Sequence, residues 1–520
     1  MSQHTSTSGA SVPKEKKSLI ERIGRKIPDP IVIFMGFYVI TAVISIIMGG
    51  HTFSSVGVDG SPVVHTINNM MTTEKIRWIF DNAILQNWLA FGGGVLGIIM
   101  IAVLGVGIAE DSGLLGTLIK KAGSHINEKY LPLLLVFIGI MSSVASDAGY
   151  LILVPLAGLL YAGVGKNPLI GMAAAFAGVS AGFSANLIPA TPIDAIIGNN
   201  AQLFAETQGV PFTTSTGEPL NAATMNYFFI AFSVFLLSGV GAWITKMFVA
   251  PKLEKVSFEI PADMDVSDFK VNPEEQRALK VAGIGAVVAI ALLTALCLGP
   301  LAPYTNDAGR EVVPYMNNMV LLIVIFFAIC GISYGVAVGK YKSVTNVVYA
   351  MVKQMGTLGY VLTLSFFSYQ FLALLGASGL GTYVTYLGAN LLQALGLASM
   401  PVLLLIGFVL VTASINLLVG GLTSKWMLLG PIFIPMLYQV NPEMTPEVVS
   451  AAFRVADSST NIITPMMSYA GVILAFMRKY KPDMTIGEQI GIMMPYSIAF
   501  MVIWTIALVA FFLLGIPMGF

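Results

Sequence analysis

Two short polar phrases interrupt a chain that is otherwise strongly apolar. Ser184-Ala185-Asn186-Leu187-Ile188 is echoed by Ser459-Thr460-Asn461-Ile462-Ile463. Each copy lies near an acidic residue, Asp194 or Asp457, and near the prolines Pro189, Pro192 and Pro465. Bilayer hydrocarbon offers no water to such groups, so polar side chains and broken helices at membrane depth are costly unless they line a cavity or bind something. Broken segments in corresponding positions of two halves are the sequence sign of a transporter's binding site.

Charged residues also fall inside apolar stretches: Asp147, Asp194, Lys425, Arg454 and Asp457. Each costs several kcal/mol to bury unless it is paired, hydrated or neutralised. Oxygen donors from Asp and Asn suit a hard cation such as Na⁺, and a carboxylate can instead carry H⁺. Asp194, Asn416, Asp457 and Asp147 are therefore the candidate cation-binding residues, with Na⁺ possible at the first three. A capping carboxylate is the alternative for Asp194 and Asp457, and Asp147 can equally sit in water at a hairpin mouth. Arg454 and Asp457 are three apart and share a helix face. That spacing predicts a local ion pair, or an arginine that balances the aspartate as it takes and releases a cation.

The neutral polar residues near these breaks suit a substrate anion. Asn186, Asn416 and Asn461 offer an amide oxygen to a cation and an NH₂ to a carboxylate, or else cap a helix. Thr423, Ser424, Ser458 and Ser459 fall near expected helix N-termini, where free N–H groups attract anions. Trp426 either stacks on an aromatic substrate or anchors packing. Pro431, Pro435 and Pro465 are expected to shape broken helices.

These residues need a membrane scaffold, and the composition supplies one. The chain has 520 residues, is 56% hydrophobic and only 10% charged, against about a quarter charged in soluble domains. Apolar runs reach about 20 residues, enough to cross ~30 Å of hydrocarbon. Alternating segments of ~10 residues are absent, which argues against a transmembrane β-barrel. The expected fold class is an all-α polytopic membrane protein. A net charge of zero gives no nucleic-acid footprint. Cys297 and Cys330 lie in separate apolar runs without metal spacing and read as packing residues. His4, His51, His65 and His125 fall outside the expected spans. The N-terminal stretch lacks the apolar core of a signal peptide.

The chain reads as two halves at an offset of about 270 residues. The run ending Glu110-Asp111-Ser112-Gly113 corresponds to the one from about Met355 ending Ala377-Ser378-Gly379, and Leu131-Pro132-Leu133 to Met400-Pro401-Val402. Lys/Arg clusters mark cytoplasmic loops. With the N-terminus inside, residues 14–26, Lys120-Lys121, Lys246–Lys255, Lys340–Lys342 and Arg478–Lys481 all fall inside, and corresponding spans run in opposite senses. The expectation is two inverted repeats. Residues 1–26 form a cytoplasmic tail, 27–250 the first repeat, 251–276 a cytoplasmic linker, 277–304 a connecting helix and 305–520 the second repeat. Gly113–Gly123 and Gly379–Gly396 read as interfacial helices. Re-entrant hairpins are expected near 142–164 and 416–440.

Several of these pieces, in this order, resemble the AbgT family of p-aminobenzoyl-glutamate transporters. They are Arg22-Ile23-Gly24-Arg25-Lys26-Ile27-Pro28-Asp29-Pro30, Ser146-Asp147, Gly182-Phe183-Ser184-Ala185-Asn186-Leu187, Lys425-Trp426, Pro431-Ile432-Phe433-Ile434-Pro435-Met436, Arg454-Val455-Ala456-Asp457-Ser458-Ser459 and Tyr480-Lys481-Pro482-Asp483. The resemblance covers nearly the whole chain. It implies a homodimer of nine-span subunits in the bacterial inner membrane, with two re-entrant hairpins, inverted repeats and an elevator-type mechanism. It also implies cation coupling by Na⁺ or H⁺, no cofactor, and uptake of p-aminobenzoyl-glutamate or efflux of sulfonamide antimetabolites. Matching positions place the family's important residues at Asp194, Asn416, Thr423, Trp426, Arg454, Asp457 and Pro465. The Ser459-Thr460-Asn461-Ile462-Ile463-Thr464-Pro465 run is more polar than in some members.

Three functions follow as expectations. The first is cation-coupled transport of p-aminobenzoyl-glutamate or a related aromatic or dicarboxylate anion. The second is proton-driven export of sulfonamides. The third, from another class, is a membrane hydrolase using paired aspartates. No GxxxxGK[ST], GxGD or HExxH motif occurs to support ATP-driven transport or proteolysis.

Overall fold

The computed structural model describes residues 28–520 except 57–61, 91–94, 124–127, 146–148, 261–270, 306–310, 418–420, 465–466 and 468. Asp147, Pro465, His4 and His125 lie outside the described residues.

Helix α1 (Pro30–Ile47) starts at Asp29, whose carboxylate accepts from the Ile31 N–H. A β-hairpin follows, β1 (Thr52–Val56) paired antiparallel with β2 (Pro62–Thr66), then α2 (Thr73–Asn82). The first half continues with α3 (Val95–Ser112), α4 (Leu114–Gly123), α5 (Leu131–Met141), α6 (Val154–Gly163), α7 (Pro168–Phe176), α8 (Pro192–Thr207) and α9 (Tyr227–Ile244). The connecting helix α10 (Pro273–Leu298) follows, and then α11 (Met319–Ala337), α12 (Val344–Thr357), α13 (Gly359–Ala377), α14 (Leu380–Ala394), α15 (Pro401–Asn416), α16 (Leu422–Val440), α17 (Pro446–Asn461), α18 (Ala470–Arg478) and α19 (Ile486–Leu513).

From α3 to α9, and again from α13 to α19, the chain runs through a long helix, a shorter one, four further helices and a closing long helix. The corner after the first helix of each series is made the same way, with Gly113 at φ 93° and Gly379 at φ 76°. Only glycine adopts this left-handed backbone without a Cβ penalty. Among the described residues, six helices are long and apolar enough to cross a membrane. They are α1, α9 with its continuation to Leu253, α10, α11, α13 and α19.

Several boundaries differ from expectation. The span placed from about Met355 begins at Gly359, because Met355 belongs to the last turn of the separate helix α12, which ends at Thr357. Charged and polar Lys353 and Gln354 suit that helix to the membrane rim, and Gly356 and Gly359 flank the break. The first repeat runs past residue 250, with helix continuing to Leu253. The connecting helix starts at Pro273, not at 277, because Asn272 and Glu275 form a capping box. Pro431 and Pro435 do not break α16, which stays one helix around them. Neighbouring helices can satisfy the carbonyls such prolines free. Cys330 is buried but Cys297 is only half-buried.

Packing divides along the chain. Helix α11 lies along both α3 and α10. Helix α17 packs against α15, α16, α19 and α8, so the second broken helix sits amid elements of both halves.

Candidate functional site

Helix α17 is buried from Pro446 to Thr460 on every face. A helix polar on one side and buried all round must place its polar groups against partners. Besides Glu447 in the first turn, this stretch carries the buried charges Arg454 and Asp457, and each of these two reaches a different element.

The Arg454 guanidinium lies 2.8 Å from Asp194 Oδ1. Its Nε donates to Asn226 Oδ1 at 3.1 Å, and its Nη1 to the Ser184 carbonyl at 3.5 Å. Asn226 is fixed in turn, since its amide donates to the Glu447 carbonyl at 2.8 Å and its oxygen accepts from Ser450. Asp194 sits in the first turn of α8. Its Oδ2 accepts from the Thr191 N–H at 3.0 Å and from the Thr191 hydroxyl at 2.7 Å, closing a capping box. The capping reading of Asp194 therefore holds, and the same side chain is also the ion-pair partner of Arg454. Just before the cap, Ala190 takes φ 55°. A non-glycine residue in this region stores about 1–3 kcal/mol of strain and marks a backbone held by its surroundings.

Asp457 pairs with Lys425 of α16, Oδ1 to Nζ at 2.6 Å, and both are almost wholly buried. Lys425 also donates to Asn416 Oδ1. The Asn416 amide donates to the Asp457 carbonyl at 2.6 Å, to Thr460 Oγ1 at 2.7 Å and to Asn461 Oδ1 at 3.1 Å. Asn461 reaches back to Asp457 Oδ2 at 3.5 Å. Asn416 thus ties the end of α15 to the end of α17. The expected Arg454–Asp457 pair is not what forms. Each side chain finds a partner on another element, because those partners offer a full opposite charge in an otherwise apolar interior.

The first polar phrase meets the residue just ahead of the second. The Ser184 N–H donates to Ser458 Oγ at 3.1 Å. Ser184 Oγ is buried with no hydrogen-bond partner among the described residues. Asn186 donates to Ser143 Oγ at 3.2 Å, while its oxygen accepts from the Ile188 N–H at 2.8 Å. The first phrase is thereby braced against the turn after α5.

Other expected contacts are placed differently. Trp426 is fully buried, donates from Nε1 to the Ile197 carbonyl at 3.0 Å, and packs on Phe453 and Phe204 with centroids 4.6 and 6.1 Å away. In this state it anchors α16 against α8. Ser458 and Ser459 lie in the last turn of α17, at a helix C-terminus rather than the expected N-terminus, where the dipole does not favour an anion, and the Ser459 hydroxyl donates within its own helix to the Val455 carbonyl at 2.6 Å. Thr423 and Ser424 lie in the first turn of α16, as expected for a helix N-terminus. Among the described residues no group of three His, Cys, Asp or Glu could hold a metal ion. Asp194, Asn416 and Asp457 do not converge on one cation: the carboxylates are held by Arg454 and Lys425, and Asn416 joins only the second pair. The cluster also contains Asn226, Thr191, Ser143 and Thr460, which had no assigned role in the sequence reading, and Lys425, which stood out there as a charge in an apolar stretch. Thr191-Pro192-Ile193-Asp194 was legible as a capping box. Asn226 and Ser143 carry no local signal.

Against known proteins, a family model described as the AbgT putative transporter family matches residues 17–520. The p-aminobenzoyl-glutamate transport protein of Escherichia coli (strain K12) is 29% identical over 523 residues, covering 98% of each chain. The crystal structure of the Alcanivorax borkumensis YdaH transporter superposes with a TM-score of 0.85 at 33% identity, over 95% of this chain and 100% of that one. Neisseria gonorrhoeae MtrF, described within a class of antimetabolite efflux pumps, gives 0.81 at 32% identity, over 94% and 96%.

Proposed function

The chain belongs to the AbgT transporter family, and on that premise we propose that it is a cation-coupled secondary transporter of p-aminobenzoyl-glutamate or a related aromatic or dicarboxylate anion. Its relatives are membrane transporters rather than enzymes, so the hydrolase reading is not carried forward. The observation that carries the proposal is the pair of buried ion pairs, Arg454–Asp194 and Lys425–Asp457, rooted on one helix where the two broken segments meet. Such pairs add little to stability against an apolar core, so their presence argues for a working role.

In this reading Asp194 and Asp457 sense the coupling ion. Na⁺ or H⁺ arriving at a carboxylate weakens its hold on Arg454 or Lys425. The freed cation then meets a substrate carboxylate, alongside the Ser184 hydroxyl and the asparagine amides. Loading of ion and substrate is thereby coupled, because each occupies one partner of the same pair. Trp426 would reach an aromatic ring only in a state where α16 separates from α8. Asp147 keeps its proposed place as a cation ligand, and Pro465 its proposed role in shaping the second broken segment. The architecture that accompanies this reading is two inverted repeats with re-entrant hairpins, moving as an elevator within a homodimer of the inner membrane, its N-terminus cytoplasmic.

The test is uptake of labelled p-aminobenzoyl-glutamate by proteoliposomes under an inward Na⁺ gradient, then under an inward pH gradient. Saturable, gradient-dependent uptake supports the proposal and names the ion. Absence of uptake under both overturns import of this substrate. Efflux is the second reading, favoured by the similarity to MtrF, and sulfonamide movement under a pH gradient in inverted vesicles tests it.

A further inference from the structure

Glu447 is the third ionisable side chain of α17, and it takes no part in the two ion pairs. The residue is only 7% exposed, and its Oε2 is buried with no hydrogen-bond partner among the described residues. It stands in the first turn of the helix, yet it caps nothing. The N-cap residue Thr445 makes no side-chain capping bond, and its hydroxyl is buried without a partner as well. Asp194, in the first turn of α8, has both a capping hydroxyl and a cation.

The charged groups on the elements packed against α17 are committed elsewhere. On α8, Asp194 pairs with Arg454 and Glu206 accepts from Gln202. Lys425 of α16 pairs with Asp457, and Glu488 of α19 with Lys481. Helix α15 and residues 177–181 carry no charge. Of the tyrosines, Tyr496 of α19 bonds Thr245, Tyr227 beside Asn226 donates to the Leu187 carbonyl, and Tyr438 of α16 is half-buried. Glu447 is nonetheless wired to the site. Its carbonyl accepts from Asn226 at 2.8 Å and from Ser450 at 2.9 Å, and Asn226 Oδ1 accepts from Arg454 Nε at 3.1 Å. Glu447 and Arg454 are seven apart, which puts them on one helix face at about 10 Å along the axis.

From this placement we infer that Glu447 is a proton-binding site of the transporter, separate from Asp194 and Asp457. The inference deepens the proposed function and rests on it. A carboxylate buried without a counter-ion is costly, and a proton taken from water removes that cost. With Glu447 ionised, two carboxylates stand against the one guanidinium of Arg454. With Glu447 protonated, the Arg454–Asp194 pair is balanced. A substrate anion therefore meets less repulsion in the protonated state. Proton and anion raise each other's affinity by the same factor, as linkage requires. Across about 10 Å of protein interior that factor is about 10-fold.

The experiment measures exchange and gradient-driven uptake of labelled p-aminobenzoyl-glutamate in proteoliposomes of the full chain, of Glu447→Gln and of Glu447→Asp. The pH runs from about 6 to about 9, the range in which buried glutamates titrate. The native exchange KM should rise about 10-fold toward the alkaline end. Glu447→Gln is neutral at every pH, so it should hold the acid-side KM throughout and lose accumulation under an inward pH gradient. Glu447→Asp, which still ionises, should keep the pH dependence and so separate titration from altered packing. A native KM that does not move with pH overturns the site, and so does a Glu447→Gln profile equal to the native one. Should the native protein exchange no substrate at any pH, the transport reading fails instead. Infrared difference spectra across the same pH range then test Glu447 alone. A protonated-carboxyl carbonyl stretch that titrates in native protein and is missing from Glu447→Gln supports the site, and identical spectra overturn it.

Discussion

Arg454 and Asp457 stand one helical turn apart on α17, and each is committed to a different element. Arg454 holds Asp194 at 2.8 Å and Asp457 holds Lys425 at 2.6 Å. One helix thus carries one positive and one negative terminus of two separate ion pairs, so a change at either pair is transmitted along a rigid turn.

Asp457→Asn leaves Lys425 charged and without its counter-ion in a fully buried place. Breaking one partner of such a pair costs about 3–5 kcal/mol. The expected result is a clear fall in the thermal midpoint in detergent together with loss of gradient-driven uptake. Adding Lys425→Met removes the stranded charge. The double variant should recover most of the stability and none of the transport, and recovery of both would sink the coupling role of this pair.

Arg454→Lys keeps the charge but not the fork. A lysine ammonium cannot hold Asp194, Asn226 and the Ser184 carbonyl together as the guanidinium does. With about 1 kcal/mol lost per missing bond, the variant should fold and reach the membrane, yet transport at least about tenfold more slowly. Uptake equal to the native rate would show that the charge alone suffices.

Trp426 separates packing from recognition. Trp426→Ala should cost about 3–5 kcal/mol, as for large aromatic deletions in a core. Trp426→Phe keeps an aromatic ring but removes the indole's bond to the Ile197 carbonyl, which retains its helical donor, at about 0.5–1.5 kcal/mol. If the indole only anchors α16 on α8, Trp426→Phe lowers the melting temperature and leaves KM within about twofold. A larger rise in KM with little change in melting temperature would place the ring on the substrate.

Gly105 of α3 faces the backbone of α11, where an added Cβ would collide with the Val324 carbonyl. Small residues let membrane helices approach this closely. Gly105→Ala should force the helices apart at a cost of about 1–3 kcal/mol, seen as a lower melting temperature. An unchanged melting temperature would mean the contact yields easily.

Much of the cluster was legible because its chemistry is dear in hydrocarbon. Asp194, Asn416, Arg454, Asp457 and Asn461 stood out as polar groups in apolar runs, and the structure brings them together with the two serine phrases. The partner assignments were not legible. Arg454 and Asp457 share a helix face, which is the only proximity sequence spacing can give, whereas Asp194 and Lys425 reach them through tertiary packing. Asn226 was invisible for the same reason: an asparagine ahead of a span looks like any cap until Arg454 is found beside it. Proline position misled at Pro431 and Pro435, where the surrounding helices keep α16 intact.

The two oxygens of Asp194 divide their labour. Oδ2 closes the start of α8 through Thr191, while Oδ1 alone faces the arginine. The electrostatic tether can therefore be cut and remade without unwinding the helix that presents it. In the proposed cycle the carboxylate would serve as a latch whose hinge is separate from its catch, so that repeated release need not erode the surrounding fold.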